Sequence, residues 1–409
     1  MNPPNRRVST MKFGALAAAG LFVAGCASNA PQDTTDPAGE NAQAIYDLSW
    51  PIFAIAGVVG VIVFAVIAFV VVRDRDRGQP IPEQTHGKPA LEIGLTILPA
   101  LILIGVAIPT VSVLMDLNDT SDTECIVNVT GQQWWWEFDY PVQDGCGGIT
   151  EPIVTSGQMV IPANTNVLIR GTSRDVIHSF WIPRLNGKRD MVPGRVHTLR
   201  MQANEPGIYA GQCAEFCGLS HANMRMEVVS LDDGDFESWK ANQLEDYEPP
   251  LAGSQAATGE ATFIANCSRC HQINGLTDGD GVPIVSRPDQ QVYPGAAPNL
   301  TKLMTRNTFA GASWDLLTES SRDGVVGCRE RVWEAEPEDF GPLYLEGVTD
   351  ECLNEVDLRE WLRNSPAKKP MYADPEQLEE TDGLYRGMPY LALSEDQIDD
   401  LLAYLLERK

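Results

Sequence analysis

Two uncharged apolar runs stand out near the start of the chain, Pro51–Val72 over 22 positions and Ile93–Met115 over 23. Each exceeds the roughly 20 residues that a helix needs to cross the hydrocarbon core. The pattern therefore predicts a two-helix transmembrane hairpin, with helices at about 50–72 and 92–115. The connector carries Arg73, Arg75, Arg77 and Lys88, interleaved with Asp74, Asp76 and Glu83. Positive charge on a short connector places it in the cytoplasm, which puts both outer ends of the hairpin outside.

After Asp116 the pattern changes to short alternating runs, such as Ile126-Val127-Asn128-Val129-Thr130 and Asn166-Val167-Leu168-Ile169-Arg170, broken by Gly and Pro. That alternation predicts an all-β sandwich or barrel over 117–234. In Gln132-Gln133-Trp134-Trp135-Trp136 a continuous strand would send Trp134 and Trp136 to one face and Trp135 to the other. Residues 235–258 are acidic and then rich in Pro and small residues, without an apolar period, and predict a flexible linker. A third domain, 259–409, opens with a short helix over Glu260–Asn266. It closes with Ser394-Glu395-Asp396-Gln397, a capping box, ahead of the helical positions Ile398, Leu401, Leu402 and Leu405.

The first 25 residues place Arg6, Arg7 and Lys12 before the apolar run Phe13–Val23, and Val23-Ala24-Gly25 immediately before Cys26. This resembles a lipoprotein signal peptide, in which Cys26 becomes the lipidated first residue; an ordinary secretory signal with a nearby free Cys is the alternative. Residues 26–116 then hold the N-terminal segment and the hairpin. At 409 residues the chain has room for two or three cored domains, and its formal net charge of −26 excludes nucleic acid as a partner and favours basic ones. Nine cysteines divide into two motif pairs, the candidate disulfides Cys125/Cys146 and Cys328/Cys352, and Cys26. An external location permits those disulfides.

The candidate chemistry centres on Gly211-Gln212-Cys213-Ala214-Glu215-Phe216-Cys217-Gly218-Leu219-Ser220-His221-Ala222-Asn223-Met224. Bracketing glycines predict a loop between strands, on which two thiols, an imidazole and a thioether can converge. A closed zinc site or a Cys213–Cys217 disulfide are alternatives; the thioether favours copper. With His178 in Asp175-Val176-Ile177-His178-Ser179-Phe180-Trp181, the run resembles the dinuclear copper A site of cytochrome c oxidase subunit II. The resemblance implies a cupredoxin domain whose ligands are His178, Cys213, Cys217, His221, Met224 and the carbonyl of Glu215. It also implies that the Glu215 side chain holds a magnesium or manganese ion shared with subunit I. Trp134 would be the tryptophan that receives electrons, and Pro183–Arg195 would lie against subunit I. Glu92, in Leu91-Glu92-Ile93-Gly94-Leu95-Thr96-Ile97-Leu98-Pro99, would stand at the mouth of a proton path; an interfacial carboxylate ending the span is the alternative.

Cys267-Ser268-Arg269-Cys270-His271 is the attachment signature of a c-type haem, with His271 as one axial ligand. A redox disulfide or half a zinc site are the alternatives. Pro298-Asn299-Leu300 resembles the loop that packs over the haem. Met304, Met371 and Met388 all lie in this domain. A high potential calls for a thioether sixth ligand, and Met388 is preferred because Gly387-Met388-Pro389-Tyr390 precedes the capped helix, the order in which class I cytochromes c end; Met371 is the second choice. The domain is longer than a minimal one of that class, with the excess between Thr305 and Leu353.

Hairpin, copper domain and haem domain follow one another as in subunit II of caa3-type oxidases. The implied protein sits in the cell membrane, multi-pass, with both centres on the periplasmic or extracellular face. It would pass electrons from a cytochrome c or a quinol-oxidising complex through haem c and copper A to subunit I, which with other oxidase subunits reduces oxygen and pumps protons. The small subunit of a copper A nitric oxide reductase and a membrane-tethered electron carrier are the rival readings.

Overall fold

A computed structural model describes residues 30–75, 78, 86–142, 146–285, 295–319, 327–372 and 386–409. The expected signal peptide and Cys26 lie outside the described residues. Two long apolar helices come first, α1 (Glu40–Arg73) and α2 (Pro89–Leu117). Both run past the expected bounds. At about 1.5 Å per residue, α1 is longer than a bilayer core requires, and its first turn is used elsewhere: Asn41 and Ala42 are buried. Ala42 N donates to Leu185 O at 3.2 Å, and Arg200 Nε donates to Asn41 Oδ1 at 3.2 Å. One end of the hairpin is thereby built into the domain that follows.

That domain is a sandwich of the cupredoxin type. One sheet runs β3 (Ile153–Ser156), β2 (Trp135–Tyr140), β1 (Cys125–Gln132), β5 (Val167–Ser173) and β8 (His197–Met201); the other runs β4 (Gln158–Pro162), β10 (Arg225–Leu231) and β9 (Gly207–Gln212). Strict alternation along β1 buries every second residue, Cys125, Val127 and Val129 among them, which is how one sheet face enters a core. The core collects Trp136, Phe138, Phe180, Met159 and Ile169, all fully buried. Tyr140 ties the sheets together, its hydroxyl donating to Val160 O and accepting from Val160 N. Cys125 and Cys146 are bonded.

The expected linker is in part a structured element. Helix α3 (Asp233–Gln243) buries Phe236 and Trp239, with Trp239 5.3 Å from the Tyr140 ring, and Lys240 Nζ caps Gly147 O at 2.7 Å. Its apolar positions are too few to stand out in an acidic stretch, and burial against the sandwich, not its own periodicity, holds it helical.

The C-terminal region is mainly helical. Helix α4 (Gln255–Asn266) crosses the terminal helix α8 (Glu395–Leu406), and Phe263 meets Tyr404 at 5.5 Å. The crossing is close enough that a Cβ on Gly259 would lie 1.9 Å from Asp400 O, so glycine is required there. Ser394 and Gln397 form the capping box of α8. Between these helices lie a small hairpin, β11 (Thr308–Phe309) with β12 (Trp314–Asp315), then α5 (Cys328–Trp333), α6 (Pro337–Leu345) and α7 (Glu355–Lys368). Cys328 and Cys352 are bonded. The helical region sits directly on the sandwich: Gln132 Nε2 donates to Ala296 O at 3.0 Å, Asn307 N to Gln158 Oε1 at 3.0 Å, Arg225 N to Gly311 O at 3.1 Å, and Ser313 Oγ to Asn223 O at 2.5 Å.

Candidate metal and cofactor centres

Strands β9 and β10 pair antiparallel, and the loop that joins them carries the soft donors. Cys213 N donates to Met224 O at 2.9 Å, closing the loop at its neck. His178 arrives from the opposite side on the short strand β6 (His178–Phe180), held by β7 (Arg189–Met191). Room for its ring comes from β1, since a Cβ on Gly131 would lie 2.8 Å from His178 Cδ2.

The expected ligands converge. Cys213 Sγ lies 3.8 Å from Cys217 Sγ and 3.9 Å from His178 Nδ1; Cys217 Sγ lies 3.5 Å from His221 Nδ1 and 3.8 Å from Met224 Sδ. The carbonyl of Glu215 is 3.3 Å from Cys213 Sγ, while the Glu215 residue itself is exposed. At 3.8 Å the two sulfurs are not bonded to each other, and two thiols, two imidazoles, a thioether and a carbonyl are more donors than a four-coordinate zinc site uses. A hydrogen bond from Cys217 holds the Cys213 thiol down to about 4 against the opposing effect of burial, and Cys217, which keeps the shared proton, is pushed up. A soft cation bound here would displace that shared proton, and the donor set fits a dinuclear copper centre.

Asp175 supports this site and had been assigned no role from the sequence. Its carboxylate accepts from His178 Nε2 at 2.8 Å and from Gln133 N at 2.8 Å. Burial pushes Asp175 up, but the hydrogen bonds from His178, Gln133 and Val176 outweigh it and leave the group lowered. By holding Nε2–H, it leaves Nδ1 as the free donor. The only sequence signal was its position three residues before His178.

Trp134 departs from the expected alternation. Gln133 and Trp134 form the turn between β1 and β2, so Trp134 is outside the strand and all three tryptophans are buried. Its Nε1 donates to Cys217 O at 3.1 Å, beside Gln133 Nε2 to the same oxygen at 2.8 Å.

Trp134 and Trp135 also wall a cavity of about 220 Å³ between the two regions, and Cys267, Cys270, His271, Met371 and Met388 share that wall. His271 Nδ1 donates to Pro298 O at 2.8 Å, which leaves Nε2 as the lone-pair nitrogen; burial lowers its pKa, so the ring is neutral. Cys267 is pushed up to about 12 by burial, the opposite of Cys213. A neutral imidazole and two unpaired thiols on an apolar cavity wall fit a covalently attached haem. Both candidate methionines line the space; Met371 is buried and packs against Gly387. Lys369, buried and lowered to about 7 by that burial, donates to Trp134 O at 2.9 Å. Glu92 stands apart from both centres, in the first turn of α2, where its carbonyl accepts from Thr96 Oγ1 at 2.8 Å.

Comparison with known proteins follows these divisions. Residues 125–231 match the family model for the periplasmic domain of cytochrome c oxidase subunit II, and residues 27–113 match the one for its transmembrane domain. Cytochrome c oxidase subunit 2 of Alkalihalophilus pseudofirmus is 32% identical over 68% of this chain and 82% of the relative. That of Bacillus sp. strain PS3 is 30% identical over 82% of this chain and 79% of the relative. A solved structure, the periplasmic domain of subunit II of cytochrome oxidase of Bradyrhizobium japonicum, is 28% identical over 31% of this chain and 96% of that one, with a TM-score of 0.28.

Proposed function

The chain belongs to the cytochrome c oxidase subunit II family, and we propose that within it this protein is the electron-accepting subunit of a caa3-type oxidase, with a covalent haem c and a dinuclear copper A in contact through Trp134. The observation that carries this reading is that the haem-attachment residues and Trp134 wall one cavity, while the same indole is bonded to the copper-ligand loop.

His178, Cys213, Glu215 through its carbonyl, Cys217, His221 and Met224 would hold copper, which supplies a one-electron centre. Cys267, Cys270 and His271 would hold haem c, with Met388 as the sixth ligand and Met371 the second choice. Asp175 orients His178. Pro298 orients His271. Trp134, Trp135 and the apolar lining exclude water from the space between the centres, so that little solvent reorganises when charge moves.

The exposed carboxylate of Glu215 is free to meet a magnesium or manganese ion at the surface of subunit I. Glu92, in the first turn of α2, would admit protons from the cytoplasm. The donor would be a cytochrome c or a quinol-oxidising complex, and the acidic chain suits a basic one. Both α1 and α2 would span the membrane, with the sandwich and haem region on its outer face.

The test is to purify the complex from membranes in mild detergent. Haem c and copper A absorbance in this subunit, with haem-bearing partners and oxygen consumption on ferrocytochrome c, are expected. Nitric oxide reduction in place of oxygen reduction would favour the reductase, and a chain that purifies alone would favour a tethered carrier.

A further inference from the structure

The carboxylate of Asp175 is held within the sandwich and met by a cation from outside it. Its Oδ1 accepts from His178 Nε2 and Val176 N, each at 2.8 Å, and its Oδ2 accepts from Gln133 N at 2.8 Å. From the C-terminal helical region comes Arg386, whose Nε lies 3.8 Å from Oδ2, an ion pair too long to be a hydrogen bond. The Asp175 side chain is 3% exposed and that of Arg386 18%, so little water screens the two charges. Arg386 is itself fixed: its N donates to Tyr372 O at 2.8 Å in a bridge between the two residues, and the Tyr372 ring lies 5.4 Å from that of Trp134. Met371 precedes Tyr372, and Met388 lies two residues after Arg386. The chain that offers both candidate axial thioethers therefore also delivers a positive charge to the carboxylate behind a candidate copper ligand.

We propose that Arg386 is a positioning residue that raises the potential of copper A through Asp175, an inference that rests on the copper A and haem c readings of the two centres. A carboxylate bonded to the far nitrogen of a ligating imidazole makes that imidazole a more basic ligand. A more basic ligand stabilises the oxidised metal and lowers its potential. Arg386 draws the charge of Asp175 toward itself and weakens that push on His178, so the potential of the electron-accepting centre rises. Because the cation comes from the haem-bearing region, the rise depends on that region being seated on the sandwich. Copper A is then the better acceptor when its donor is in place.

The test uses the whole complex in detergent and reads copper content, thermal melting, and the separate midpoint potentials of copper A and haem c. Arg386→Gln is expected to retain copper and covalent haem and to lower the reduced-to-oxidised ratio of copper A at a fixed ambient potential about tenfold, a midpoint fall of about 59 mV. The change at haem c should be smaller. Arg386→Lys, which keeps the charge, should restore most of the copper A potential. Asp175→Asn removes the carboxylate and should move copper A the other way, to a higher midpoint; it decides the matter if Arg386→Gln does not assemble. Lost packing alone would not shift the two variants in opposite directions. A copper A midpoint that fails to fall in Arg386→Gln, or fails to rise in Asp175→Asn, would overturn the proposal and leave both centres as read. A wild-type complex without copper A absorbance or covalent haem would overturn the reading of the centres itself.

Discussion

The indole Nε1 of Trp134 donates across 3.1 Å to the carbonyl of Cys217. The C-terminal helical region holds the same residue as well, its carbonyl accepting from Lys369 and its ring lying 5.4 Å from that of Tyr372. Trp134 is thus shared between the loop over 213–224 and the cavity of Cys267, Cys270 and His271. Trp134→Phe keeps an aromatic ring but removes the donor, at about 0.5–1.5 kcal/mol for one neutral hydrogen bond. Stopped-flow reduction of copper A through haem c should slow while copper content stays near normal. An unchanged rate would leave Trp134 a packing residue.

Asp175 should govern how firmly copper is held. Removing a carboxylate that orients a ligating imidazole lowers metal affinity by about 10–100-fold. Asp175→Asn is therefore expected to lose copper to a chelator far faster than wild type, with haem c absorbance unaffected. Equal chelator resistance in the two proteins would refute the orienting role.

Met388 and Met371 both line the cavity that Cys267, Cys270 and His271 share, and their histidine variants separate them as ligands of the proposed haem. Replacing a thioether ligand by imidazole favours ferric iron. Met388→His should keep the haem bound through Cys267 and Cys270 and lower its potential by more than the ~59 mV of a tenfold change. A large fall in Met371→His, with none in Met388→His, would move the ligand to Met371.

Glu227 links pH to stability where the sandwich meets the helical region. Burial raises its pKa to about 7 although Gln158 Nε2 donates to it at 2.5 Å. The folded chain keeps this proton between about pH 4.5 and 7 while the unfolded chain gives it up, so stability falls as pH rises through that window, by roughly 3 kcal/mol at full extent. Glu227→Gln should melt higher than wild type at pH 8, and the gap should shrink at pH 5. A constant gap would show that the carboxyl does not titrate in this range.

The local parts of this protein were legible in the sequence because their signals are local. Two uncharged runs announce α1 and α2, alternation announces β1 and β5, and Ser394 with Gln397 announces the start of α8. The candidate metal donors lie on one loop apart from His178, so their spacing alone suggests the chemistry proposed for them; the same holds for Cys267, Cys270 and His271. Adjacent tryptophans misled the reading at Trp134, because a turn at Gln133-Trp134 and a continuous strand have the same composition.

What only the tertiary structure decided is how distant segments meet. No period marked α3, since Phe236 and Trp239 matter only once Tyr140 is beside them. The segment after Thr305 looked like excess length; in the fold Asn307 and the β11–β12 hairpin join the helical region to the sandwich. Asp175, Lys369 and Arg386 were unremarkable charges in the sequence. Their roles arise from burial and from the partners that burial supplies, and a charge acquires that meaning only when folding removes it from water.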